Sequence, residues 1–301
     1  MNERSLDPRA LRTFGAVCAA GSISGAARVL NISQPSVSST ISQLEARLGV
    51  VLFARGRGGI QLTTEGRALQ RRAKALESLL GQAVREVQLA QAGIEGPLRV
   101  GGTPGALVSL LPGAIERIER ERGRFALNVV ERPDRDLVAM LRQGEIELAF
   151  VTAEIEVPPD DIEERTFTRD PFAVIVGRLN DALPQRLSLR QLADARWVLP
   201  EAQGAFRRQV DALFVGAQVP VPVDPIRCDS LLTTKAIVRT SRRVTILPRQ
   251  VAAAELSTGV LRAIEIEEAR FDRSVGVRRL RDTPLSPLAV LLLDALGEPI
   301  A

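Results

Sequence analysis

The sequence has no histidine and no tyrosine, only two cysteines, and an aromatic content of 3%. Without histidine it lacks the commonest general base and the usual imidazole metal ligand, so enzymatic readings start at a disadvantage. No GxSxG, HExxH or P-loop pattern is present, nor any convincing metal cluster, so neither catalytic nor metal residues are assigned and no cofactor is implied. Cys18 and Cys228 stand far apart with no CxxC. That spacing suggests neither a disulfide framework nor a zinc site, and both read as small buried apolar residues. No apolar run approaches the ~18 residues of a membrane span, which argues against a membrane partner. The opening MNERSLDPRALRTFGAV is charged and amphipathic, unlike a secretory signal, so the expected location is the cytoplasm.

What is present is ordinary globular material: 45% hydrophobic and 25% charged residues over 301 positions, enough for two or three compact units. Charge is distributed unevenly. Residues 1–92 hold 12 Lys+Arg against 6 Asp+Glu, net +6; taken from totals of 40 and 36, this leaves 28 against 30, net −2, in residues 93–301. Such asymmetry is expected when one domain meets a polyanion and another does not. The only lysines are Lys74 and Lys235, so the cationic work falls to arginine.

The N-terminal text spells out short helices. Leu11, Phe14, Val17 and Cys18 form an apolar stripe running to Ala20, where Gly21 supplies a stop. Ser22 is a good N-cap for a second helix bearing Ile23, Ala26, Ala27 and Leu30. After a break at Asn31-Ile32-Ser33, Ser33 caps a third helix with Pro35 in its first turn and Val37, Ile41, Leu44 and Leu48 on its buried face. Two short helices with a three-residue turn make a helix-turn-helix. Opposite the buried stripe, the third helix offers Gln34, Ser36, Ser38, Ser39 and Ser42. Short hydroxyls allow close approach to a major-groove floor, and a glutamine can bond adenine twice; alternatively, serines simply cover a solvated face. VLFARGRGGIQLTTEG follows at once, the pattern of a β-hairpin wing in which Arg55 and Arg57 can reach phosphates or a minor groove.

From Thr64 to Ala92 a long helical pattern places Leu69, Ala73, Leu76, Leu80, Val84 and Val87 at alternating steps of four and three, with Arg71, Arg72, Lys74, Glu77 and Glu86 off the seam. The spacing resembles a coiled-coil seam and predicts dimerisation, the alternative being a helix packed on its own domain. GIEGP then reads as a hinge. Beyond Pro97, strands and helices alternate: LRVGG, a helix over 106–122, FALNVVE, a helix over 134–143, and IELAFV. Further strand candidates are FAVIVG, RWVLP, VTILP, VLRAIEI and SVGVRRL, with helices near 188–194, 204–217, 230–240, 249–257 and 284–297. The nearly continuous apolar strands suit buried parallel pairing in an α/β fold of two small lobes, with a ligand cleft at the strand carboxyl ends.

The stretch AARVLNISQPSVSSTISQLEARLGVVLFARGRGGIQLTTEG, followed by a long helix and a two-lobed α/β region, resembles the LysR-type transcriptional regulators over the full length. The match is most specific in residues 22–66 and looser at RVGGTPGALVSLLPGAI, LRQGEIELAFV and VTILP. The resemblance implies an α/β multidomain chain. Its parts are an N-terminal all-α winged helix-turn-helix (1–63), a linker and dimerisation helix (64–93), and a C-terminal two-lobed, periplasmic-binding-protein-like effector domain (97–301; lobe I about 97–170 and 269–301, lobe II about 171–268). It implies a homodimer assembling to a homotetramer on double-stranded promoter DNA, with RNA polymerase as a further partner and an unidentified small molecule as effector. The family's DNA-contacting positions fall on Gln34, Pro35 and Ser38, with Ser33 at the cap and Arg55 on the wing; Glu45 is expected to be structural.

For the effector, the family's first cleft wall falls on Thr103, Pro104 and Gly105, where helix N-terminal amides can hold a carboxylate or hydroxyl. A second wall, Glu131-Arg132-Pro133-Asp134, departs from the small residues often found there; Arg132 could pair with an anion or with its neighbours, and Asp134 joins the candidates. Glu201, Ala202, Gln203, Asp229 and Ser230 sit at strand-to-helix turns expected to face the same cleft. VRTSRRVTILP carries Ser241 and Arg243 where glycines are usual, and Arg242 and Arg243 could serve an anion, a subunit contact or, by default, solvent. Hydroxyls, arginine and carboxylates together lean toward a polar, hydroxylated or anionic metabolite. Competing readings are an exported solute-binding protein, which leaves residues 1–66 unexplained, and an enzyme with an accessory DNA-binding domain, which lacks catalytic motifs.

Overall fold

A computed structural model of the chain describes residues 6–56, 59–92, 94–202, 204–269 and 271–300. Two compact units are present: Met1–Pro97 with Arg142–Glu145, and Leu98–Leu141 with Ile146–Ala301.

In the first unit, α1 (Pro8–Ala20) ends at the expected Gly21 stop, and α2 (Ile23–Leu30) and α3 (Gln34–Leu48) form where the caps predict. Ser22 Oγ accepts from Gly25 N and Ser33 Oγ from Ser36 N, satisfying first-turn amides that would otherwise be orphaned. Asn31 takes a left-handed conformation (φ 58°) to turn the chain between α2 and α3. Phe14, Val17, Ala26, Val37, Ile41, Leu44 and Leu52 pack into one core. The wing is the antiparallel hairpin of β1 (Phe53–Gly56) and β2 (Gly59–Leu62), and α4 (Thr64–Gln91) follows. Thr63 ties the two together: its hydroxyl accepts from Gly66 N and donates to Val51 O. Gly66 is needed there because a Cβ would lie 2.2 Å from Leu52 O.

The proposed seam divides. Ala73 belongs to the core of the first unit, with half-buried Leu69 packed against it, because the N-terminal turns of α4 lie on α1. That portion follows the own-domain alternative. Leu79, Leu80, Val84 and Val87 remain exposed.

The second unit comprises β3 (Glu95–Gly102, which begins in the first unit), α5 (Pro104–Arg122), β4 (Phe125–Glu131), α6 (Asp134–Arg142), β5 (Leu148–Thr152), β6 (Ile162–Gly177), β7 (Arg186–Leu187), β8 (Val198–Leu199), α7 (Ala205–Gly216), β9 (Ile226–Arg227), α8 (Leu231–Thr240), β10 (Thr245–Pro248), α9 (Ala253–Ser257), β11 (Leu261–Ile266), β12 (Asp272–Leu280) and α10 (Pro287–Leu296). One sheet has the order β4-β3-β5-β12-β6-β11-β7, with β10 also on β6. Pairing is mixed: β3 and β5 are parallel, whereas β12, β11 and β10 all run antiparallel to β6. The parallel pairing expected of LRVGG and IELAFV holds for β3 and β5, whereas the later apolar strands run antiparallel on β6, since continuous apolar runs signal burial on both faces rather than strand direction. The first half of β6 pairs with β12 and the second with β10 and β11, so a single strand carries the chain from one apolar core to the other. Asp170 and Arg273 are direct cross-strand partners at that crossover.

Candidate nucleic-acid interface and effector cleft

On α3, burial of Val37, Ile41 and Leu44 turns Gln34, Pro35, Ser36, Ser38, Ser39 and Ser42 outward, and all six are exposed together with Ser33. Their hydroxyls differ in what they are free to do. Ser33 and Ser36 share a hydrogen bond of 2.8 Å, and Gln43 reaches Ser39 at 3.4 Å. Gln34, Ser38 and Ser42 make no side-chain hydrogen bond among the described residues, so these three face water with full capacity for a ligand. Glu45 turns the other way: its carboxylate accepts from Leu52 N (2.7 Å) and Phe53 N (3.3 Å), fixing the entry to the wing. The backbone of Arg55 lies on β1, while Arg57 falls outside the described residues. Ser24, Arg28, Asn31 and Ile32 join Ser33 and Gln34 in lining a shallow groove beside the start of α3. Arg28 was missed in the sequence, although an arginine on the exposed side of the first helix of a helix-turn-helix is a readable phosphate-contact signal.

In the second unit, Thr103 is the N-cap of α5, with Pro104 and Gly105 in its first turn. The Thr103 side chain makes no capping bond, and its Oγ1 is buried without a partner among the described residues. Arg132 N donates to Gly102 O, which brings the exit of β4 beside this turn, while the Arg132 guanidinium donates to Glu131 O. Asp134 is committed elsewhere: Arg278, 5% exposed, needs compensating charge and takes it from Asp134 (3.1 Å) and Glu164 (2.6 Å). Asp134, expected among the effector ligands, is thus already paired with a buried arginine.

Glu201, Ala202, Asp229 and Ser230 form a second local group. Asp229 Oδ1 accepts from Glu201 N (2.9 Å) and Ala202 N (2.8 Å), and Ser230 caps α8. Gln203 lies outside the described residues. Arg242 and Arg243 are not merely solvated, because their guanidinium groups donate to Leu179 O (3.3 Å) and Trp197 O (3.1 Å).

The group the sequence reading missed is Arg273, which is 3% exposed. Its Nε donates to Thr152 Oγ1 (3.0 Å), and its guanidinium lies against the first turn of α5, where a Cβ on Gly105 would sit 2.8 Å from Nη1. Burial pulls the Arg273 pKa down to about 10, opposed by the charge of Asp170, so it stays protonated at neutral pH. Asp170 is fully buried, and its carboxylate accepts the Gln250 amide through both oxygens (3.0 and 3.2 Å). Burial raises its pKa against that hydrogen bond and the Arg273 charge.

Comparison with known proteins gives one consistent answer. Residues 8–67 match the family model described as "Bacterial regulatory helix-turn-helix protein, lysR family", and residues 91–300 match the "LysR substrate binding domain". The chain is 29% identical to the HTH-type transcriptional regulator PcaQ of Agrobacterium fabrum, over 99% of this chain and 97% of that protein. It is 28% identical to the HTH-type transcriptional regulator GbpR of Azospirillum brasilense, over 96% and 85%. Among solved structures, a full-length OxyR variant of Pseudomonas aeruginosa superposes with a TM-score of 0.70 at 23% identity, over 97% of this chain and 95% of that one. Full-length CbnR complexed with its target DNA does so with a TM-score of 0.69 at 22% identity, over 97% and 99%.

Proposed function

The chain belongs to the LysR family of transcriptional regulators, not enzymes, which bind promoter DNA and small-molecule effectors, and on that premise we propose how its own residues divide this work. The recognition element is α3. Gln34, Ser38 and Ser42 read base edges in the major groove, while Ser33, Pro35, Ser36 and Ser39 set the approach of the helix and the wing arginines Arg55 and Arg57 contact the backbone. The observation that carries this reading is the outward face of α3, where Gln34, Ser38 and Ser42 are exposed and without hydrogen-bond partners among the described residues.

Two copies join through the exposed Leu79, Leu80, Val84 and Val87 of α4, which presents two recognition helices to successive major grooves of an inverted repeat. Two such dimers form the tetramer on a longer, bent site in the cytoplasm, within reach of RNA polymerase. No single described helix is long and apolar enough to cross a membrane.

The effector enters the second unit at the turn of Thr103, Pro104 and Gly105, with Arg132 nearby and the group of Glu201, Ala202, Gln203, Asp229 and Ser230 as the other wall. A ligand shifts the arrangement of dimers only by its differential affinity for two assemblies, and through that shift it alters the DNA bend. DNase footprinting on the upstream intergenic DNA tests the proposal. Protection spanning several helical turns and containing an inverted repeat is expected; protection indifferent to sequence contradicts it.

A further inference from the structure

We propose that the segment 153–160 is a strap across the two lobes of the second unit, clasped by the Glu156–Arg208 ion pair, and that this clasp holds the lobes in their resting arrangement. The inference rests on reading the second unit as the effector-binding domain, and it adds how that domain is held before an effector arrives.

The clasp joins two separately packed bodies. Glu156 follows β5, whose Leu148 and Phe150 belong to one apolar core, while Arg208 lies on α7, whose Val210, Leu213 and Phe214 belong to another. Arg208 Nη2 donates to Glu156 Oε1 at 2.6 Å, across 52 positions of sequence. Its neighbour Arg207 is spent inside its own lobe, on Asp211 and Glu201 (3.5 and 3.7 Å). Beside the clasp, Val157 is 94% exposed, so apolar burial does not pin the strap and the ion pair does.

The root of the strap is fixed, which gives the clasp something to hold against. Glu154 takes a left-handed conformation (φ 61°), one that a non-glycine residue keeps only where its surroundings over-determine it. Three hydrogen bonds do so. Its carboxylate accepts from Thr166 Oγ1 on β6 (2.9 Å) and from Ser274 Oγ on β12 (2.6 Å), and its amide donates to Glu164 Oε1 (3.0 Å). Glu164 is anchored in turn by the buried Arg278 (2.6 Å). β6 and β12 are the strands that meet at the crossover between the cores, where Asp170 accepts the Gln250 amide. The strap therefore starts on the hinge strands and ends on the far lobe, so releasing its tip frees the lobes to turn about that crossover. The clasp side chains are 54% and 68% exposed, so salt screens the pair and its release needs no unfolding.

Hydrogen–deuterium exchange of the full chain, with neither ligand nor DNA, reads the clasp directly. In Glu156→Arg and in Arg208→Glu, amides of 153–160 should exchange about two- to fivefold faster at low ionic strength, the range an exposed ion pair supports. The segment 249–252, which includes the Gln250 amide at the crossover, should quicken with them. The double variant, with the two charges exchanged, should return both segments to near wild-type rates, and about 1 M salt should make the wild type resemble the single variants. Because both residues are exposed, all three variants should fold. The strap is overturned by unchanged exchange in the single variants, by no recovery in the double variant, by wild-type exchange indifferent to salt, or by a change confined to 153–160 with 249–252 unmoved. Such a result leaves the DNA-reading role to stand or fall on the footprint, which this experiment does not involve.

Discussion

Replacing Val84 and Val87 together by alanine should weaken self-association of the chain about a thousandfold, by the following arithmetic. Both residues are 59% exposed on α4. Each substitution deletes two methyl groups, worth about 1.6 kcal/mol when fully buried, so covering the exposed portion accounts for about 1 kcal/mol per residue. Two residues in each of two copies give about 4 kcal/mol, and 1.4 kcal/mol corresponds to a factor of ten in Kd. Because alanine favours helix and these positions face solvent in the single chain, α4 itself should persist. Sedimentation equilibrium from nanomolar to micromolar protein would measure the change. A dimer constant within about threefold of wild type would refute the assignment of this face as the dimer contact.

Three further perturbations probe individual links in the structure. Glu45→Ala strips the Leu52 and Phe53 amides of their acceptor and should cost about 1–3 kcal/mol, seen as a lower melting temperature together with weaker DNA binding. Arg278→Met leaves Glu164 and Asp134 facing each other without their cation and should destabilise the second unit by about 3–5 kcal/mol, read from urea unfolding followed by circular dichroism. Glu154 accepts hydrogen bonds from Ser274 and Thr166, which lower its pKa, so its contribution to stability is complete above the unfolded glutamate value and disappears as pH falls through the folded one. Melting temperature should therefore drop between about pH 5 and pH 3, and less steeply in Glu154→Gln.

The helix-turn-helix was legible because its signals are local: Ser22 and Ser33 cap the helices that follow them, and Val37, Ile41 and Leu44 repeat at helical spacing. Periodicity alone was ambiguous on α4, since a stripe that packs on its own domain at Leu69 and Ala73 reads the same as one that stays exposed at Val84 and Val87. Strand β6 was read only in its apolar second half, because RTFTRDP looks like a loop when its long-range pairing with β12 is unknown. Arg273 was invisible for the same reason. In DRSVGVRRL an arginine suggests a surface position, and only the fold shows this one buried against α5. Thr103 and Gly105 were named as cleft residues from resemblance, but the cation beside them comes from a strand about 170 positions later.

The most direct measurement of the central claim is the affinity of wild type and Gln34→Ala for an operator duplex and for a scrambled duplex of equal length, by fluorescence anisotropy across a range of salt. The account predicts that Gln34→Ala loses about 5- to 150-fold on the operator, the value of one bidentate base contact, while affinity for the scrambled duplex and the salt slope stay near wild type. Equal losses on both duplexes, or no loss on either, would contradict the reading of α3 as the element that recognises sequence.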